Sequence, residues 1–266
     1  MSDADHDEVP LAPLRWRAGA LEPVDGCENT VSRVAAADSW FVTEGRARGL
    51  ELHRQRFERA LPAELRGDAA PFWDAAIATL PRTGDWFPRV EARTASGRAE
   101  LRLLMRPAPA IRSAARVVSH HGADPRRSPT IKGPDLETML RVRSEGQRRG
   151  ADEVIITSPE GYVVEGAYSA VAWWRGDILA FPADDLERVD SVTARSLETL
   201  AVALGVDTVR EHTTASELEG HEVWILNALH GIRIVTAWVD GPSVAEQPGR
   251  RSLWARRLDA LRRPLP

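Results

Sequence analysis

The sequence predicts a mixed α/β fold in two domains. Helical and strand periodicities alternate along the chain, a proline-punctuated stretch without periodicity interrupts them near the middle, and no internal repeat occurs. The 266 residues, 43% of them apolar, are enough for two separate cores. Residues 1–12 are polar and read as a flexible N-terminal arm. Residues 13–110 read as a smaller α+β domain and residues 111–266 as a larger one. A cleft between two such domains is a common place for a small ligand.

Each element has its own signal. In the first domain SWFV (39–42) reads as a short strand, GRARG as a turn, and LELHRQRFERAL (50–61) as a helix with Leu50, Phe57 and Leu61 facing inward. PFWDAAIATL (71–80) is a second helix, and WFPRVEAR and AELRLLMRP flank a Thr-Ala-Ser-Gly-Arg turn as a β-hairpin. RPAPAIRSAA (106–115) has two prolines and no period, so it reads as the crossing between domains. Beyond it VVSHH reads as a strand, PDLETMLRVRSEGQRRG as a helix ended by Gly150, and DEVIIT and GYVVEG as strands around a Pro-Glu-Gly turn. VAWW and ILAFP form a hairpin about Arg175-Gly176-Asp177. SVTARSLETLAVALG is a helix closed by a glycine, TVREHT a strand, SELEG a helix start, and EVWILN and IRIVTAWVDG two more strands. In the tail, Leu253, Trp254, Leu258 and Leu261 lie opposite most of the arginines, which predicts a solvated terminal helix rather than a polyanion-binding element.

Composition excludes several functions. A net charge of −4, from 35 basic and 39 acidic residues, lacks the positive field of a nucleic-acid binder. No run is long and apolar enough to span a membrane, and the acidic N-terminus is unlike a secretory signal, which predicts a cytoplasmic protein. Cys27 is the only cysteine, so an intrachain disulfide, a multi-cysteine zinc site and dithiol redox chemistry are excluded. His120 and His121 point to opposite faces of a strand with no third ligand nearby, so no metal site is expected. No nucleotide phosphate loop and no serine nucleophile elbow occurs. The nine tryptophans read as core and interface bulk.

One residue stands apart. Lys132, in SPTIKGPDLE at the end of an extended segment before a helix, is the only lysine of a chain that otherwise uses arginine. An amine can lose its proton and form a Schiff base, which a guanidinium cannot. From this lysine onward the chain resembles the class IV (fold type IV) aminotransferases, which include branched-chain and D-amino-acid aminotransferases and aminodeoxychorismate lyase. The matching segments, in order, are Lys132, GADEVIIT (150–157), EGYVVEGAYSAV (160–171), SVTARSLETLAVALG, and NALHGIRIVTAWVDG (227–241). In the first half LELHRQRF resembles the family's His-x-x-Arg helix, so the resemblance spans residues 35–241.

The resemblance implies a two-domain fold-type-IV enzyme with pyridoxal 5'-phosphate in the cleft between domains, acting on an amino acid and keto acid pair as a homodimer. Lys132 would form the internal aldimine and shuttle the substrate's α-proton. Glu165 would face the pyridine nitrogen and keep it protonated. Arg56 would hold the phosphate by a charge-assisted fork, joined by Val192 and Thr193 at a helix N-terminus and by the amide of Ala228. His53, on the same helix face as Arg56, is expected to be structural. Ser39 falls where the lyase carries a threonine hydroxyl near the cofactor and is the implied second catalytic residue. Three departures accompany the match: Ala194 stands for an arginine, Ala170 for an asparagine, and Ile234-Val235 for Pro-Val. The implied reaction is transamination, with aminodeoxychorismate lyase and a non-catalytic cofactor-binding member as alternatives.

Overall fold

The computed structural model describes residues 12–24, 32–95 and 97–266. The expected arm, apart from its last residue, and Cys27 lie outside the described residues. The chain divides into two compact units, one reaching to Pro109 and taking back Arg263–Pro266, the other running from Ala110 to Arg262. The last four residues thus belong to the first unit and not, as the sequence predicts, to the domain at 111–266.

In the first unit, β1 (Leu14–Arg17), β2 (Ala20–Pro23), β3 (Arg33–Ser39), β4 (Val42–Thr43), β5 (Arg46–Ala47), α1 (Leu50–Ala60), α2 (Ala69–Thr79), β6 (Asp85–Trp86), β7 (Arg89–Ala95) and β8 (Arg98–Leu104) follow one another. Five strands form an antiparallel sheet in the order β2-β1-β8-β7-β3. Val90, Leu101 and Leu103 from this sheet share a buried core with Phe57 of α1 and Phe72 and Trp73 of α2. SWFV is not one strand: Ser39 ends β3, Trp40 and Phe41 leave the sheet, and Val42 opens β4 in a second small sheet. The fully buried Trp40 indole, 4.9 Å from that of Trp73, is the reason, since filling the core outweighs continued strand pairing there.

In the second unit β9 (Ala114–Ser119), α3 (Leu136–Arg148), β10 (Glu153–Thr157), β11 (Val163–Gly166), β12 (Ala170–Arg175), β13 (Ile178–Pro182), α4 (Val192–Ala203), β14 (Thr208–Glu211), β15 (Val223–Asn227), β16 (Gly231–Val239) and α5 (Arg250–Asp259) form a mixed eight-stranded sheet with helices outside it. β17 (Arg263–Pro264) pairs with β5 in the first unit. The sheet order is β11-β10-β9-β16-β15-β12-β13-β14. It curls until its edges meet: Val163 N–H donates to Thr213 O at 2.8 Å, and Tyr162 bridges Thr214. Joining the edges removes exposed strand backbone.

Curling gives each strand an inner and an outer face. Val117, Ile155, Val171, Trp173, Ile225 and Val235 fill the inside. On the outside Trp174, Trp224 and Ile234 are covered by Leu197 of α4 and by Trp254 and Leu258 of α5. Met139 and Val142 of α3 cover Val118, Val154 and Ile156. Three strand ends share one rim of the sheet: Gly166 and Ser169 form the turn from β11 to β12, Ala170 pairs with Leu226, and Trp173 pairs with Ala180 on the strand that ends at Pro182. Trp254 and Leu258, but not the half-exposed Leu253, seat the tail helix. Arg250 lies 4.3 Å from the centre of the Trp174 ring.

Trp174 packs against both Trp224 and Trp254. Trp174→Ala should therefore lose about 3 to 5 kcal/mol of stability, the usual cost of emptying a large aromatic site. The midpoint of urea unfolding measures it, and a wild-type midpoint would contradict the packing described.

Candidate active site

Lys132 lies in the loop from Ser119 to Leu136, and this loop consists of turns rather than the expected extended segment. Ile131 N–H donates to Ser128 O at 3.0 Å and Leu136 N–H to Gly133 O at 3.1 Å, with Gly133 at φ 145°. The Asp135 carboxylate collects the N–H groups of Arg127 and Ser128 at 2.8 to 3.1 Å. Three prolines, Pro125, Pro129 and Pro134, and a carboxylate that binds backbone seven and eight residues earlier are thus what override strand geometry. Lys132 is half-buried, and its charge acts on Glu165.

Glu165 sits on β11 opposite Ile156 of β10, while the Lys132 loop leaves its strand where His120 N–H meets Ile155 O at 2.8 Å. That shared level is how the topology brings the lysine loop to the carboxylate. The carboxylate is buried and paired: Arg126 Nη1 donates to Oε1, and Val189 N–H donates to Oε2 at 3.3 Å. Burial pushes the Glu165 carboxyl up to about 7 even though Arg126, Val189 and Lys132 all favour its ionised form. Arg126 itself is held by Asp124 through Nε at 2.9 Å and Nη2 at 2.6 Å, and by Glu187 O at 3.1 Å.

Val189 stands three residues before α4, so its bond to Glu165 ties the carboxylate to the start of that helix. Ser191 caps α4, its Oγ accepting from Ala194 N–H at 3.2 Å. Val192 and Thr193 are buried in the first turn, where amide N–H groups have no acceptor within the helix. Ala228 occupies the turn between β15 and β16, which Asn227 Oδ1 fixes by accepting from His230 N–H at 2.8 Å. The departures from the family pattern are absorbed locally: Ala194 presents its amide to the cap, and Ala170 and Ile234 join the core beneath α4 and α5.

In the first unit Ser39 and Arg56 share one neighbour. Asp38, with no exposed surface, accepts from Arg56 Nε at 2.8 Å through Oδ2 and from Arg56 Nη2 at 2.8 Å through Oδ1, with His53 Nδ1 2.7 Å from Oδ1. Burial alone would raise the Asp38 carboxyl, but Arg56 and His53 outweigh it and hold the group below the usual range. Burial pushes His53 down against the pull of Asp38. Ser39 Oγ accepts from Arg106 Nη2 at 3.3 Å, and burial beside Arg89 lowers Arg106 to about 10. The His53–Arg56 pairing on one helix face was readable from their spacing. Asp38 as its anchor was not, and neither was Arg126 as partner of Glu165, because each lies far in sequence from the group it binds. A cavity of about 650 Å³ in the first unit, lined by Leu50, Arg54, Trp73, Ile77, Arg82 and Pro264, borders none of the expected site residues. No metal-binding cluster occurs among the described residues, and no helix there is long and apolar enough to cross a membrane.

The family model for amino-transferase class IV matches residues 35–238, a span that includes the lone lysine, the buried carboxylate and the helix start of the second unit. The chain belongs to the class IV aminotransferase family. No curated protein matches the chain. Among solved structures this family member is similar to a fold IV-transaminase, CpuTA1, from Curtobacterium pusillum, with 21% identity, a TM-score of 0.74, and 94% and 96% of the two chains covered. A hypothetical aminotransferase from Mycobacterium tuberculosis in its PLP-bound form gives 19% identity, a TM-score of 0.74, and coverage of 94% and 98%. A branched-chain aminotransferase from Thermoproteus uzoniensis with norvaline gives 18% identity, a TM-score of 0.77, and 93% coverage of each chain. At these identities the likeness establishes the fold: the class IV chain has the mixed α/β architecture of fold-type-IV aminotransferases.

The pKa of Glu165 makes a stability prediction for the free protein. Folded, the carboxyl keeps its proton to about pH 7, whereas unfolded it loses it near 4.5. Between those values the folded state binds more protons than the unfolded state, so stability falls as pH rises. Glu165→Gln removes this loss. Its melting temperature relative to wild type should climb from about pH 4.5 to 7 and level off above, and a difference that shrinks with rising pH would contradict the assignment.

Proposed function

We propose that the chain is a pyridoxal-phosphate-dependent aminotransferase that moves an amine between an amino acid and a keto acid, with Lys132 as its reactive amine. The observation that carries this reading is that the only lysine of the chain lies on a loop whose charge acts on a buried carboxylate, Glu165. The donor set fits the cofactor group by group. A primary amine suits an aldehyde, a buried carboxylate suits a pyridine N–H, and the first-turn amides of Val192 and Thr193 suit a phosphate.

The roles follow from the chemistry of each group. When bound, the cofactor supplies the electron sink that makes the substrate's α-proton acidic. Lys132 Nζ would hold the cofactor by its aldehyde and, as a free amine, would carry the proton to and from the substrate's α-carbon. Glu165 would accept a hydrogen bond from the ring nitrogen and favour its protonated form. The positive end of α4 and the amide of Ala228 would hold the phosphate, and Arg56, aligned by Asp38, is the guanidinium proposed for the same group. Ser39 Oγ would be the second catalytic group, a hydroxyl close to the cofactor. A cytoplasmic homodimer belongs to the same reading.

The test is a half-reaction with the cofactor-loaded protein and a panel of single amino acids. The reading predicts conversion of the cofactor's visible absorbance to that of the pyridoxamine form with at least one of them, reversal by a keto acid, and at least a thousandfold loss in Lys132→Ala. Formation of 4-aminobenzoate and pyruvate from aminodeoxychorismate, without build-up of the pyridoxamine form, would replace transamination by the lyase reaction. Cofactor binding without turnover on any amine would leave a non-catalytic member.

A further inference from the structure

Arg126 forms the closest contact to Glu165, and nothing in the role described for that carboxylate requires a second cation there. Its geometry is unusually well fixed. Asp124 accepts from Arg126 Nε at both carboxylate oxygens, 2.9 and 3.1 Å, from Nη2 at 2.6 Å, and from the Arg126 backbone N–H at 2.9 Å. Glu187 O takes a further Nη2 bond at 3.1 Å. The guanidinium is therefore oriented by two neighbours before it reaches Glu165, and only Nη1 is presented to it. Its side chain is 4% exposed and that of Glu165 is 9% exposed, so water screens the contact little.

We propose that Arg126 is a positioning residue that sets the charge state and orientation of Glu165. The inference rests on the reading of Glu165 as the partner of a ring nitrogen, and it adds how a carboxylate in so dry a place can be ionised at all. Besides Arg126, cations that act on Glu165 include Lys132 from the same loop and Arg188 from the segment before α4. Arg188 is turned away, spending its guanidinium on the carbonyls of Pro182, Ala183 and Leu186 at 2.6 to 2.9 Å. Arg126 is the cation that the fold itself holds in contact with Glu165, and its guanidinium cannot lose its proton in any working pH range.

Without it Glu165 would keep its proton to still higher pH, and a protonated acid cannot keep a ring nitrogen cationic. The carboxylate orientation would change as well. With Oε1 on Arg126 and Oε2 on Val189 N–H, the plane of the group is fixed from two sides.

The experiment titrates Glu165 in the cofactor-free full chain, by carbon NMR of side-chain-labelled glutamate assigned with Glu165→Gln, in wild type, Arg126→Gln and Arg126→Lys. The expected result is a midpoint raised by at least one pH unit in Arg126→Gln, with Arg126→Lys in between because it restores the charge without the fork. The same variants are then titrated with pyridoxal phosphate across pH 6 to 9, and Arg126→Gln should bind at least tenfold more weakly than wild type at neutral pH and recover toward it as pH rises. A folded Arg126→Gln whose midpoint equals that of wild type would overturn the proposal. If Arg126→Gln does not fold, the Arg126→Lys midpoint decides alone, and a wild-type value there overturns it. A raised midpoint with no cofactor binding in any form, wild type included, would instead sink the functional reading and leave the Arg126–Glu165 coupling standing.

Discussion

Burying a carboxylate costs several kcal/mol unless it is protonated or met by hydrogen bonds and a cation, and Glu165 at the end of β11 is buried. Much of the surrounding structure can be read as the answer to that cost. Arg126 comes in from the loop after β9, and Asp124 holds it there. Val189 comes in from the segment before α4 and so fixes where that helix starts. The loop that delivers Arg126 also carries Lys132, and Asp135 ties its middle to the start of α3. One anionic group thus organises a lysine loop and a helix N-terminus at once, the two features with which a cofactor's aldehyde and phosphate would be held.

The curled sheet of the second unit makes this possible. Closing eight strands, with Tyr162 and Val163 meeting the segment after β14, gathers the β11–β12 turn, the end of β13 and the end of β15 on one rim. Tryptophans on both faces of β12 show the balance of forces: Trp173 fills the interior and bonds Glu211 at 2.7 Å, while Trp174 supports α5 outside. In the first unit the Asp38–His53–Arg56 group repeats the same physics, since a fully buried carboxylate is kept ionised by a bidentate guanidinium and fixes that guanidinium in return.

Much of the fold was legible because its elements are periodic. The helix at 50–60 and those at 136–148 and 192–203 have apolar spacing and clear stops, and the alternation of 170–182 and 223–239 reads directly as strands. What was missed depends on distance or on exceptions to local rules. β1 and β2 are joined by Ala18-Gly19 with both residues at positive φ, a turn that normally announces itself with asparagine or aspartate. β4, β5 and β6 are two residues each and exist only through pairing. Lys132 and Glu165 could be singled out because a motif surrounds each of them. Arg126 and Asp38 carry no motif, and their importance lies in a partner 39 and 18 residues away respectively.

The measurement that tests the central claim most directly uses the composition of the chain. Because Lys132 is the only lysine, a borohydride-reduced adduct of pyridoxal phosphate has one side chain on which to form. The account predicts a visible absorbance band on adding the cofactor, a single stable adduct after reduction, and its location on the peptide containing Lys132. A protein that gives no band, or whose adduct maps to the N-terminal amine with Lys132 unmodified, would contradict it.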